Sequence, residues 1–240
     1  MSGIIKTARD GMVATITIDR GAEGNQLTID LIGELSSAFR AASASDASVI
    51  TLQSTGADFC RGRDPRGEQP TSTALAMRKR VVDPILDLYD AIGGTRQPIV
   101  CAVQGAALGF GCALSTACDI TFAADDSRFR LPELEKSLPP TLAISAMMSR
   151  VPRKALTWMV YSTKEIAAER ALQLGIVSSV VPSAQLRTSV NELVAELTNR
   201  SPESLVAVKD YMRSAPAMDP RGAADYAASL ISTVVSSSGR

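Results

Sequence analysis

The sequence predicts an α/β fold followed by an all-helical C-terminal region. Short β-type runs alternate with segments of helical periodicity up to about Val181-Pro182, and beyond that point the helical period continues with no strand signal. Composition agrees: 45% apolar and 21% charged residues in a chain of 240 suffice for a substantial core and lie far from the disordered classes. The division expected is a core over residues 1–182 and a helical part over residues 183–240.

The elements follow in order. Ile4 to Ala8 and Met12 to Asp19 read as two strands joined at Asp10-Gly11, with Ala14, Ile16 and Ile18 alternating against Val13, Thr15 and Thr17. From Thr28, a suitable N-cap, Leu31, Ile32, Leu35, Ala38 and Phe39 recur at helical spacing, and Ser48 to Leu52 form the next strand. Ala57 to Pro70 hold Gly, Pro and charged residues without periodicity and read as a functional or mobile loop. A helix over Ala74 to Ile92 stops at Gly93-Gly94. Ile99 to Val103 is an apolar run typical of a buried strand, and Gly105 to Gly111 lead into a helix ending near Ala117. Ile120 to Ala123 give another strand, and Ser183 to Arg200, Pro202 to Arg213 and Arg221 to Val235 are amphipathic helices suited to covering the core or meeting another subunit.

Several function classes are excluded. Lys plus Arg and Asp plus Glu both number 25, so no basic surplus exists to neutralise a nucleic-acid backbone. Apolar stretches are interrupted well before the roughly 20 residues of a membrane span, and the first residues lack a secretory pattern, which points to the cytoplasm. There is no histidine, which removes Ser-His-Asp and Cys-His nucleophile systems and His-ligated zinc together. Cys60, Cys101, Cys112 and Cys118 form no CxxC pair and read as buried thiols, so no metal site is expected. Acid-base chemistry falls to carboxylates, Lys, Tyr or Cys.

Two loops and one carboxylate carry the chemical signal. In Asp58-Phe59-Cys60-Arg61-Gly62-Arg63-Asp64, Gly62 permits either an ordinary surface turn or a nest of outward N–H groups. Gly105-Ala106-Ala107-Leu108-Gly109-Phe110-Gly111 joins a buried strand to a helix start, a place that suits a phosphate or an oxyanion, or simply close packing. It lacks the ending of a P-loop and the glycine order of a dinucleotide fingerprint. Glu133 follows Pro132, whose fixed φ holds the neck of its loop, while Glu135, Lys136, Asp125 and Asp126 read as solvated charges.

The ordered motifs GADFCRGRD, PIVCAVQGAALGFGCALSTACD and FRLPE resemble those of the enoyl-CoA hydratase/isomerase (crotonase) superfamily. GNQLTIDLIGEL is similar to that family's Asn-Ala-Leu segment, and LGIVSSVVP with the helical tail extends the resemblance over nearly the whole chain. It implies a crotonase-like spiral of strand-strand-helix units with a C-terminal trimerisation region, hence a homotrimer or a hexamer built as a dimer of trimers. It implies an acyl-CoA substrate, with coenzyme A part of that substrate and no further cofactor. By motif position, the backbone N–H groups of Arg63 and Phe110 form an oxyanion hole for the thioester, and Glu133 is the working carboxylate. Ala22, Gly24, Asp64, Ala106, Gly109 and Pro132 fall at substrate-binding positions, and Arg61, with Arg63 and Arg66, reads either as a phosphate contact for the coenzyme or as a solvated loop arginine.

The sequence also departs from the family pattern. Ala113 stands where hydratases of this family place a first glutamate, Arg63 and Phe110 replace smaller residues, and Leu138-Pro139-Pro140 replace a glycine-rich stretch. A single Glu favours double-bond isomerisation or water-assisted hydration through an enolate. Hydrolysis or decarboxylation of an acyl-CoA, or a catalytically inactive acyl-CoA-binding protein, remain the alternatives.

Overall fold

A computed structural model describes residues 3–66 and 73–237. The far end of the loop read over 57–70 therefore lies outside the described residues. The chain opens with β1 (Ile5–Asp10) and β2 (Val13–Ile18), an antiparallel hairpin in which Asp10 pairs Val13. Alternate residues of β2 are buried, so Ala14, Ile16 and Ile18 face the core as the period of two requires. Helix α1 (Ile29–Ala44) begins at Thr28, whose side chain accepts the Leu31 N–H, and it delivers the chain to β3 (Val49–Ser54), parallel to β2.

The helical stretch read as one element over Ala74 to Ile92 is divided into α2 (Ala74–Met77), a π-helical turn (Arg78–Val82) and α3 (Asp83–Gly93). Next come β4 (Ile99–Val103), β5 (Ala106–Leu108), α4 (Phe110–Ala117), β6 (Ile120–Ala124) and β7 (Arg128–Arg130). After β7 come α5 (Thr141–Met147), α6 (Arg153–Ser162), β8 (Ile166–Ala167), α7 (Ala168–Gln173) and β9 (Ser179–Val181). Three helices close the chain: α8 (Leu186–Thr198), α9 (Pro202–Ser214) and α10 (Pro220–Ser237).

The main sheet has the order β1-β2-β3-β4-β6-β9, with only the β1–β2 pair antiparallel. Every residue of β4 is buried, because a parallel sheet is covered on both faces, and this explains its unbroken apolar run. Ile50, Leu52, Cys101 and Val103 belong to the principal core beneath α1 and α3. Val49, Val100 and Ala102, one residue out of phase, pack instead with Leu186, Val190 and Val194 of α8.

A second, smaller sheet holds β5, β7 and β8. It is continued by two single bridges, Cys60 to Ala107 and Leu27 to Arg63. Each of β2, β3, β4 and β6 is thus followed by a short extended piece in the second sheet and then by helical structure, which makes a spiral of strand-strand-helix turns. The helical tail is not uniform. α8 covers a sheet face, and α9 is pinned by buried Lys209, whose ammonium meets Asp119 at 2.6 Å, the Gln97 carbonyl at 2.9 Å and the Thr95 hydroxyl. By contrast, α10 buries no residue.

Candidate active site

The site grows from one place where two backbones touch. Gly111, in the first turn of α4, lies against the segment carrying Cys60, and a β-carbon built on it would sit 2.1 Å from the Cys60 carbonyl oxygen. Only glycine allows that approach. The Cys60 N–H donates to Ala106 O at 3.0 Å and the Leu108 N–H to Cys60 O at 2.9 Å, so the segment is stitched to β5 just before β5 turns into α4.

Two residues later the same segment bridges Leu27: the Leu27 N–H donates to Gly62 O at 3.1 Å and the Asp64 N–H to Leu27 O at 2.8 Å. In a parallel bridge of that pattern the middle residue, Arg63, turns its own N–H and C=O away from Leu27. Phe110 begins α4, so its N–H has no acceptor in its own helix and lies at the positive end of the helix dipole. Among the described residues it donates to no other carbonyl or side chain. The neighbouring Gly109 N–H is taken up by Arg130 O at 2.8 Å, which fixes the turn.

Glu133 arrives from the other side. β7 pairs with β5, buried Leu131 and Pro132 follow, and Glu133 opens a 3₁₀ turn over Glu133–Lys136. The turn is tethered through Arg130, which donates to the Thr163 carbonyl and pairs with Glu135. Glu133 Oε1 lies over Gly109, close enough that a β-carbon there would be 2.7 Å away. Its Oε2 is buried and has no partner among the described residues. Burial raises the Glu133 carboxyl above its usual value of 4.5, with its own backbone N–H and Lys136 opposing in part. A carboxylate so placed is a competent proton acceptor.

The surroundings are apolar and largely neutral. Ala113, one turn along α4 from Phe110, is fully buried and brings no polar atom. Burial pushes the Cys60 and Cys112 thiols up to about 12, so neither is a ready nucleophile. The Tyr89 ring of α3 stacks on Phe110 with centroids 6.3 Å apart. Burial is the chief cause that raises its phenol, and the charge of Glu133 adds to it.

Other residues singled out in the sequence serve as frame or rim. Asp64 is only 2% exposed, and its carboxylate is held by Arg20 at 2.9 Å and by Arg66 at 2.8 Å. Its acidity is strengthened well beyond the usual range, first by the Arg66 hydrogen bonds. It fixes the loop that carries Arg63. Arg61 is exposed, lays its side-chain stem against Gly24, donates its N–H to the Gly24 carbonyl at 2.9 Å and pairs with Asp58 at 3.6 Å. Ala22 is exposed beside them. The Ala106 N–H is engaged by Asp58 Oδ1 at 2.9 Å, and Pro132 packs near Gly109.

The reading from sequence missed Arg20, Asn25 and Tyr89. Asn25 is fully buried and donates to the carbonyls of Thr55 and Asp58 at 2.7 Å each, tying the two loops together. A signal for Asn25 existed in the GNQLTIDLIGEL segment, just after the Gly21–Glu23 turn and its Gly24 cap; Tyr89 showed only as an aromatic at the edge of an apolar helical stripe.

With this geometry in hand, comparison with known proteins is direct. The family description "Enoyl-CoA hydratase/isomerase" matches residues 8–237. The 2,3-dehydroadipyl-CoA hydratase of Escherichia coli K12 is 31% identical over 89% of this chain and 82% of its own length. The peroxisomal Delta(3,5)-Delta(2,4)-dienoyl-CoA isomerase of Arabidopsis thaliana is 25% identical over 97% of this chain and 88% of its own. The crystal structure of an enoyl-CoA hydratase from Mycobacterium smegmatis superposes with a TM-score of 0.91 over 96% of this chain and 90% of that one, at 23% identity, and so shares the fold. A match across nearly the whole chain, together with the strand-strand-helix spiral, leads to one conclusion: the chain belongs to the enoyl-CoA hydratase/isomerase family of enzymes.

Proposed function

We propose that the protein moves protons on an acyl-CoA thioester, with Glu133 as the base and the N–H groups of Arg63 and Phe110 as the oxyanion hole. The observation that supports this best is the half-buried Glu133 carboxylate beside the glycine that opens α4, whose buried Oε2 has no partner among the described residues. A thioester oxygen held by both amides gains negative charge as the α-proton leaves, and removing one such donor typically costs about 3 to 4 kcal/mol of barrier. Glu133 takes the α-proton of a 3-enoyl thioester, the enolate is held by the amides, and the same carboxyl returns the proton at the γ-carbon. Hydration of a 2-enoyl thioester uses the same parts with one added water.

The coenzyme end of the substrate meets the rim formed by Ala22, Gly24 and Arg61, where an exposed guanidinium on a supported stem suits a phosphate. Phe110 and Tyr89 form an aromatic wall for the acyl group. No described helix is long and apolar enough to cross a membrane. Val208 and Met212 of α9 and Ile231 and Val235 of α10 are exposed, which supports a homotrimer or a dimer of trimers joined through these helices.

Glu133→Gln tests the reading. Turnover of both 3-enoyl- and 2-enoyl-CoA is expected to vanish while calorimetric binding of an acyl-CoA persists. Unchanged turnover overturns the assignment, and release of free CoA by the native protein points to hydrolysis instead.

A further inference from the structure

We propose that Arg130 is a positioning residue for the base: through the Glu135 carboxylate and the Thr163 carbonyl it braces the 3₁₀ turn against the end of α6 and so fixes where Glu133 stands over Gly109; this rests on the reading of Glu133 above. Both ends of Arg130 are engaged. Its backbone closes β7 opposite Leu108, and its carbonyl accepts the Gly109 N–H at 2.8 Å, so its main chain holds the glycine that Glu133 Oε1 approaches. Its guanidinium reaches forward, where Nε donates to the Thr163 carbonyl and a terminal nitrogen pairs with Glu135 Oε1. One residue thus connects the floor beneath the base to the turn that carries it.

The turn needs an outside support because its own bonds are local. The Glu135 N–H donates to Pro132 O at 3.1 Å, the Ser137 N–H to Leu134 O at 3.0 Å and the Leu138 N–H to Glu133 O at 3.1 Å. None of these reaches another element. Among the described residues, the hydrogen bonds that do so are made by the Glu135 side chain, to Arg130 and to the Thr163 hydroxyl at 3.0 Å. Leu134 packs on the core, but an apolar contact is non-directional and does not fix how the turn is rotated. Successive residues of a 3₁₀ turn project about 120° apart, so Glu133 and Glu135 leave it in different directions. Glu135 is exposed and held from outside, while Glu133 is half-buried and faces Gly109.

The support itself is firm. Leu156, Met159 and Val160 seat α6 in the core, and Thr163 caps that helix with its N–H on Met159 O at 3.1 Å. Thr163 has φ +51°, a left-handed conformation that a β-branched residue seldom adopts. Glycine would serve the cap without strain, but it would lack the hydroxyl that meets Glu135. That hydroxyl shares its one hydrogen between Glu135 Oε1 and the Ser162 carbonyl at 2.8 Å, so the Arg130 fork is the stronger half of the brace. The Arg130 and Glu135 side chains are 31% and 50% exposed, and a pair so open to solvent adds little to global stability. Its effect is local, on the direction of the turn.

Arg130→Met keeps the stem and removes the fork, Glu135→Ala removes its acceptor, and Glu135→Gln keeps an oxygen in that place. Steady-state kinetics are measured on 3-enoyl- or 2-enoyl-CoA, whichever the native protein turns over faster, for these variants and for Arg130→Met combined with Glu135→Ala. All assays are run well below each variant's melting temperature. Misplacing a base by about an ångström costs up to about a hundredfold, so each truncation is expected to lower kcat about tenfold with KM within about twofold. The combined variant is expected to lose no more than either truncation alone, because both break one brace. Glu135→Gln is expected to stay within about threefold of the native kcat, since its amide oxygen still accepts from Arg130. A native kcat in either truncation, a change confined to KM, multiplied losses in the combined variant, or a Glu135→Gln as impaired as Glu135→Ala overturns the brace and leaves Glu133 as the base. A Glu133→Gln variant that retains turnover, or a native protein with none on either substrate, overturns the reading of Glu133 and the brace with it.

Discussion

Gly109 and Glu133 are in contact across the mouth of α4: the position a β-carbon would take on Gly109 is 2.7 Å from Glu133 Oε1. Gly109 also has φ +53°, which L side chains rarely adopt. Gly109→Ala is therefore expected to displace the carboxylate and strain the turn, at about 1–2 kcal/mol of stability. Misplacement of the base by about an ångström lowers kcat on the order of a hundredfold. Steady-state kinetics beside a thermal melt check this, and a variant with native kcat would show that the carboxylate is not held where the reaction needs it.

The acidity of Glu133 predicts a pH profile. Because burial raises its value above 4.5, kcat/KM is expected to rise with pH through an inflection above the ordinary glutamate range. The stability consequence has the opposite sense. A raised folded-state value favours the folded protein below the unfolded value and loses that advantage as pH rises through the folded value. Glu133→Gln should thus melt at a higher temperature than the native protein at pH 7 and lose that difference near pH 4. Melts at both pH values check it.

How much of this was legible beforehand differs by element. The alternation of Ala14, Ile16 and Ile18 and the helical stripe from Leu31 to Phe39 could be read because their burial is periodic. β5, β7 and β8 hold two or three residues each, too short for any period to register, and they gain their meaning only from pairing with one another. The same limit hid the site's frame. Asp64 reads from the motif as a pocket position, and its pairing with Arg20, 44 residues earlier, shows only once the chain is folded. Tyr89 reads as helix surface until Phe110 arrives from α4.

Asp64 predicts a second effect on stability. Its carboxyl is acidified by Arg66 and Arg20, so its contribution is present above the ordinary value of 3.8 and is lost as pH falls through the lower folded-state value. Asp64→Asn leaves the nearly buried Arg20 with only the distant, more exposed Glu23 carboxylate at 4.0 Å and should cost about 3 kcal/mol at pH 7. It should also reduce kcat by loosening the loop of Arg63. Urea titrations across pH 2–7 test the first, and a native kcat in the variant would sever the link to the loop.

Lys209 tests how the tail is joined. It is 8% exposed and bonded to Asp119, Thr95 and Gln97, while burial alone would favour its neutral form. Lys209→Met leaves Asp119 with the Ile99 N–H but no cation and is expected to cost about 3 kcal/mol. Amide exchange should then quicken in α9 before it does in the main sheet, and uniform exchange would show that α9 is held by other contacts.

The most direct measurement is exchange of the α-protons of an acyl-CoA with deuterium oxide, followed by proton NMR. Base removal by Glu133 against a thioester held by the Arg63 and Phe110 amides predicts enzyme-dependent loss of the α-proton signal, abolished in Glu133→Gln while binding persists. Exchange that continues undiminished in that variant, or no exchange with the native protein, would contradict it.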